Sequence, residues 1–158
     1  MRVYTGEFSG EAETAQVDFW EIQAAAGKLC RLLGILISQL TETGDSAEEM
    51  LLIQIKRSGS GATTGSGGST APTLAPVDPG DAAFSGTVDT VTNTTKITGG
   101  SPVTLYSDNW NIRQGGLWLP PDLLDFKWAD QQFMTVELGT TPADSITFAS
   151  TIFVGEEG

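Results

Sequence analysis

Carboxylates are the most abundant reactive groups in this chain. Three sets lie close in sequence: Asp78 with Asp81, Asp122 with Asp125, and Asp45 with Glu48 and Glu49. Paired carboxylates are the machinery of glycoside hydrolysis, but they must face each other across a cleft, which nearness in sequence does not provide. With 20 acidic residues in 158, such neighbours arise from composition alone. Loop carboxylates also hold calcium, yet no Asp-x-Asp-x-Asp-Gly run is present, and Asp78-Pro79-Gly80-Asp81 reads first as a tight turn. The chain has no histidine, so it has no Ser-His or Cys-His nucleophile pair and no imidazole metal ligand. The single cysteine, Cys30, has no disulfide partner and sits in the apolar run Leu29-Cys30-Arg31-Leu32-Leu33. There it reads as a small buried hydrophobe. The Gly-rich stretch 58–68 lacks the Gly-Lys-Ser/Thr ending of a phosphate-cradling loop and leads into no helix. These residues predict a non-enzymatic protein with no catalytic, cofactor-binding or metal-binding side chains.

The tryptophans are more informative. Trp20 lies between Phe19 and Ile22 and reads as core. Trp110 and Trp118 differ, because they flank turns beside polar residues and prolines, in Asp108-Asn109-Trp110-Asn111 and Leu117-Trp118-Leu119-Pro120-Pro121. Aromatic residues and arginine concentrate at protein interfaces, so Trp110, Asn111, Arg113, Trp118 and Leu119 form the candidate contact surface. Exposed tryptophans on a sheet would also suit a sugar-stacking platform. A net charge of −12 repels phosphate backbones, which argues against nucleic acid as a partner. The most apolar segment, 29–40, contains Arg31, Ser38 and Gln39 and falls short of the ~20 residues that span a bilayer, so no membrane insertion is expected. The opening residues alternate polar and apolar side chains, unlike a secretory signal.

Short β-favouring runs separated by turn residues must position these groups. Strands are expected at 3–8, ending at a Ser9-Gly10 turn, and at 17–22. Segment 29–41 also fits a helical spacing, but Gly34 in its middle, the absence of a cap and the β-rich surroundings favour a strand. It is expected to form a hairpin with 50–57, where Leu51, Ile53 and Ile55 share one face. Segment 58–71 has no large apolar residue and reads as an unanchored Gly/Ser-rich linker. The whole excursion, at about 58–83, would span at most roughly 85 Å when extended, enough to reach a neighbouring subunit. A Thr-rich, solvent-facing edge strand is expected at 85–98, another strand at 102–107, and a closing antiparallel pair at 133–138 and 146–154. Short strands spaced in this way predict one all-β domain over 1–158. Its architecture is an antiparallel two-sheet β-sandwich, jelly-roll-like, with one long Gly/Ser-rich loop.

The opening strand, the Asp78-Pro79-Gly80-Asp81 turn, Asn93-Thr94-Thr95, Gly99-Gly100 and Asp108-Asn109-Trp110-Asn111 form a recurring pattern. With Pro142-Ala143-Asp144-Ser145 and the ending Gly155-Glu156-Glu157-Gly158, it resembles small β-sandwich virion proteins of tailed bacteriophages, in particular capsid decoration (cement) proteins. The resemblance implies a structural protein that binds and stabilises a capsid lattice. Its expected partners are the major capsid protein and itself, as a homotrimer or homodimer. Its expected place is the capsid surface of the virion, after synthesis in the host cytoplasm. The alternative is a tail-associated or host-binding, glycan-binding module of the same fold class.

Overall fold

The computed structural model describes residues 1–41, 49–114, 116–120 and 125–157. Asp45, Glu48 and Asp122 lie outside these residues, as does most of the connection between the third and fourth strands. In chain order the strands are β1 (Arg2–Glu13), β2 (Asp18–Gln23), β3 (Leu29–Gln39), β4 (Met50–Ser58), β5 (Ala62–Thr63), β6 (Ala75–Pro76) and β7 (Thr87–Val88). They continue with β8 (Thr98–Gly99), β9 (Val103–Asn111), β10 (Gly116–Trp118), β11 (Lys127–Ala129), β12 (Phe133–Leu138) and β13 (Ile146–Glu157). The helical spacing of segment 29–40 is overridden: Cys30, Leu32, Ile35 and Ile37 are buried on β3, while Leu36 is exposed.

Two antiparallel sheets form a β-sandwich, one ordered β10-β3-β13-β1-β6 with β11 also paired to β3, the other β7-β2-β12-β4-β9. The pairing is nested. β1 pairs with β13, β2 with β12, β3 with β10 and β4 with β9, and these pairs alternate between the sheets. Two expected pairings are corrected by this nesting. β3 and β4 form no hairpin, because β3 lies between β10 and β13 in one sheet and β4 between β12 and β9 in the other. β12 and β13 are likewise not a closing pair but occupy interior positions in opposite sheets. Consecutive strands here cross the sandwich, so closeness in sequence does not bring edges together.

Register shifts explain two further departures. The Ser9-Gly10 turn is instead a bulge inside β1, with Gly10 in the left-handed region (φ 83°), and the strand continues to Glu13. On β2 the shift against β12 falls at Phe19, which sends Phe19 and Trp20 both inward. Phe19 meets Phe148 (ring centroids 5.0 Å) and Trp20 meets Phe8 (5.4 Å), while Asp18 and Glu21, also buried, accept from Ile97 and Asn93. That bulge accounts for the imperfect alternation in 17–22.

The excursion folds back onto its own sandwich. Although 58–71 has no apolar anchor, its backbone pairs antiparallel with 91–99 through β5 and β8 and through bridges joining Ser66 to Thr95 and Ser69 to Val91. Gly65 is required there, because a Cβ would overlap the Thr95 carbonyl oxygen. The Thr-rich stretch 85–98 is therefore no regular edge strand. Only Thr87 and Val88 pair with β2 as a strand, and Val91, Thr92 and Asn93 are buried. Further along, β6 pairs with β1, and the Tyr4 hydroxyl donates to the Ala82 carbonyl (3.0 Å). Segment 59–101 thus covers the flank where β1 and β2 would be edges, with Leu74 and Val91 buried in the core.

Candidate functional site

The opposite flank carries a groove. Here β9 ends one sheet and β10 the other, and among the described residues no strand pairs with their outer edges. The alternation of β3 and β4 turns Ile35, Ile37, Ile53 and Ile55 into the gap between the sheets. Tyr106 and Trp110 from β9, with Gly116 and Trp118 from β10, complete a cavity of about 160 Å³. Gly116 gives Trp110 its room: a Cβ at that position would stand 3.3 Å from the indole. The aromatic walls brace one another. Trp118 stacks on Phe126 (5.4 Å) and lies 5.0 Å from Tyr106, and Trp110 reaches Phe148 at 6.1 Å.

The polar atoms at the mouth are turned on each other. The Tyr106 hydroxyl donates to Asp108 Oδ2 (2.8 Å), and the Asn109 amide donates to Asp108 Oδ1 (2.8 Å). Burial pushes the Tyr106 phenol above its ordinary range, and the Asp108 carboxylate adds to that. The Trp110 indole N–H donates to the Gln114 carbonyl. What remains accessible is apolar and aromatic. A lining of that kind suits an apolar group, with the Asp108 carboxylate and Asn109 at its mouth.

Of the candidate contact residues, Trp110 and Trp118 come together in this groove. Asn111 and Arg113 do not line it: Asn111 pairs with Met50, and its Oδ1 accepts from the exposed Arg113 amide (3.0 Å). Leu119, 58% exposed, lies against Gly34. Tyr106 and the four isoleucines escaped the sequence reading. The alternation of Ile53 and Ile55 was visible, but the meeting of β4 with β9 and β10 was not.

The sequence-adjacent carboxylates have structural partners. Asp78 Oδ1 accepts from the Gly80 amide (2.9 Å) in a tight turn, and Asp81 lies 3.8 Å from Arg2. Asp125 pairs with Arg31 and Lys127, each at 2.5 Å. Glu49 accepts from the Ala143 amide (2.7 Å). Burial pushes the Cys30 thiol up to about 12, with the Glu156 carboxylate adding to it, which suits an inert apolar role. A further group of carboxylates gathers under the flank segment, where Asp18 of β2 stands opposite Glu137 of β12 and Asp18 and Glu21 accept from the Ile97 and Gly65 amides. Among the described residues, no group of three His, Cys, Asp or Glu side chains is arranged to hold a metal ion.

Fold and site together describe an all-β sandwich with an apolar groove at one flank. No protein-family model, curated protein or solved structure matches the chain.

Proposed function

We propose that this chain is a non-enzymatic structural protein of a tailed-phage particle, a decoration protein that binds and stabilises the capsid lattice through the β9–β10 flank. The observation that carries the reading is the groove of about 160 Å³ walled by Trp110, Trp118 and Tyr106. That volume is close to a roughly 150 Å³ apolar cavity that takes up benzene, so it suits one large apolar side chain from a partner. The turn motifs resembling decoration proteins add to it, and the nested strand pairing supports the jelly-roll reading. The partners proposed are the major capsid protein and further copies of this chain, as a homotrimer or homodimer. A net charge of −12 opposes self-association, so apolar contacts must supply the attraction. Repetition over a lattice then multiplies a modest single contact. Counting copies against the major capsid protein in purified particles tests the proposal. Hundreds per particle are expected, and a handful would overturn it.

The second reading, a tail-associated glycan-binding module, draws on Asp108 and Asn109 beside the groove aromatics. Titrating saccharides against tryptophan fluorescence separates the two. A response abolished by Trp118→Ala favours glycan binding, and silence favours the lattice.

A further inference from the structure

The hydrogen bonds of β4 reveal which backbone groups of β9 are free to pair. The Leu52 amide donates to Thr140 Oγ1 (2.6 Å), and the Leu52 carbonyl accepts from the Gly139 amide (2.7 Å). Both groups point away from β9, so Leu52 exchanges no backbone bond with its opposite residue, Asn109. In an antiparallel pair this turns the Asn109 amide and carbonyl outward, and the alternation does the same for Ser107, opposite Gln54. Residues 107–109 are all exposed, and among the described residues no strand pairs with this edge. The Asn109 amide donates instead to Asp108 Oδ1 (2.8 Å). A neighbouring carboxylate of this kind blunts a sheet edge without pairing it.

The groove opens beside that edge. Tyr106, Asp108 and Trp110, alternate residues of β9, line its cavity of about 160 Å³. A strand added here would bond through its backbone to Ser107 and Asn109 and set its own side chains opposite Tyr106, Asp108 and Trp110. The residue opposite Asp108 would bring its Cβ within about 4.5–5.5 Å, where a carboxylate favours a cation. Two residues along, a side chain would meet Trp110 and the apolar gap.

Charge decides whose strand it is. The chain has 8 Lys and Arg against 20 Asp and Glu. Of those cations, Arg2, Arg31, Lys56, Lys96 and Lys127 are already ion-paired within it. A second copy has few cations to offer and brings its own charge of −12. Building on the reading of the groove as a partner's site, we propose that β9 accepts an extended cationic segment of a different protein by strand addition. A Lys or Arg of that segment stands opposite Asp108, and a large apolar side chain two residues away fills the groove. On docking, the Asn109 amide passes from Asp108 Oδ1 to the incoming carbonyl, and the freed oxygen takes the cation.

The test titrates the isotope-labelled full chain with the peptide acetyl-Thr-Lys-Thr-Phe-Thr-Lys-Thr-amide, whose symmetric pattern serves either strand direction. At saturation, exchange of the Ser107 and Asn109 amides is expected to slow by about tenfold or more. A peptide with Glu in place of both Lys should bind about tenfold more weakly, and Asp108→Asn should erase most of that preference. Methylating the Thr backbone nitrogens keeps every side chain but removes the donors to the edge, and should abolish binding. Unprotected Ser107 and Asn109 amides at millimolar peptide would overturn the proposal, as would equal binding of the Lys and Glu peptides or full binding of the methylated one. Protection of the same amides on concentrating the chain alone would also overturn it, by making a second copy the occupant. Copy number on particles is an independent readout: hundreds of copies without strand addition would keep the lattice reading and remove this one.

Discussion

The two flanks of the sandwich pose the same physical problem and meet it in opposite ways. Each leaves two strand edges and a gap between the sheets. At the β1–β2 flank the chain covers the gap with its own segment 59–101, paired to both edges, with Leu74 and Val91 buried beneath it. At the β9–β10 flank the gap stays open and is lined by Tyr106, Trp110 and Trp118. The covered flank is also where buried carboxylates gather, whereas the open one turns its few polar groups on themselves. Covering a flank from within yields stability. The lattice-binding proposal rests on the other flank, whose apolar gap stays open.

Truncating the largest side chain at each flank is the most forceful way to break this contrast. Trp20 is wholly buried, and its indole N–H donates to Ser150 Oγ (2.9 Å). Trp20→Ala should cost about 4 kcal/mol of unfolding free energy, read by urea denaturation. Leu74→Ala, which empties the space beside Trp20 and Gly6, should cost about 3 kcal/mol by the same measurement. Trp118→Ala should cost far less, because its ring is only half-buried in the free chain. Equal losses at Trp20 and Trp118 would mean that the open flank is ordinary core.

Function should show the reverse order. Replacing Trp110 and Trp118 together with alanine should weaken attachment or self-association by about 2 kcal/mol while circular dichroism stays unchanged. A variant that folds and still decorates particles normally would move the contact surface elsewhere.

The strands themselves were legible in the sequence, since 3–8, 17–22, 29–41, 50–57, 133–138 and 146–154 all fall on strands. Their partners were not. Pairing a strand with its sequence neighbour is the natural guess, and a nested topology defeats it at every step. The same failure hid the carboxylate cluster: Asp18 and Glu137 meet only because β2 pairs with β12. Trp110 and Trp118 were picked out by their turn-flanking, polar setting, which marks strand ends at an open flank. Segment 58–71 has no apolar side chain to signal an anchor, and glycine instead lets its backbone approach closely enough to pair.

Solution pH sharpens the comparison further, because the resolved acidic shifts under segment 59–101 have opposite consequences. Asp18 is raised, so its contribution is full below the unfolded value of 3.8 and is lost as pH rises toward about 7. Glu137 behaves otherwise. Burial pushes it up, but hydrogen bonds from Lys56 and Lys96 outweigh burial and hold it below its ordinary range. Its contribution is present above the unfolded value of 4.5 and is lost as pH falls through the lower folded value. Denaturation midpoints across pH 3–9 should therefore fall on the acid side in the native chain but less steeply in Glu137→Gln. On the neutral side the decline should vanish in Asp18→Asn.

The smallest expected effect is the most discriminating, because it deletes the same atom at each flank. Trp20→Phe and Trp110→Phe both keep an aromatic ring and remove one indole N–H. At the covered flank the lost donor leaves Ser150 Oγ without that partner in a site where Ser150 is buried. A stranded buried polar group costs about 1–3 kcal/mol. At the open flank the lost donor frees the Gln114 carbonyl on an exposed residue, where water replaces the bond. Trp110→Phe should therefore change unfolding free energy by less than about 0.5 kcal/mol. Because both variants lose a similar volume of indole, the difference between them isolates solvent access from size. Matching losses would show that water does not reach the β9–β10 flank, and the groove would then be closed to any partner.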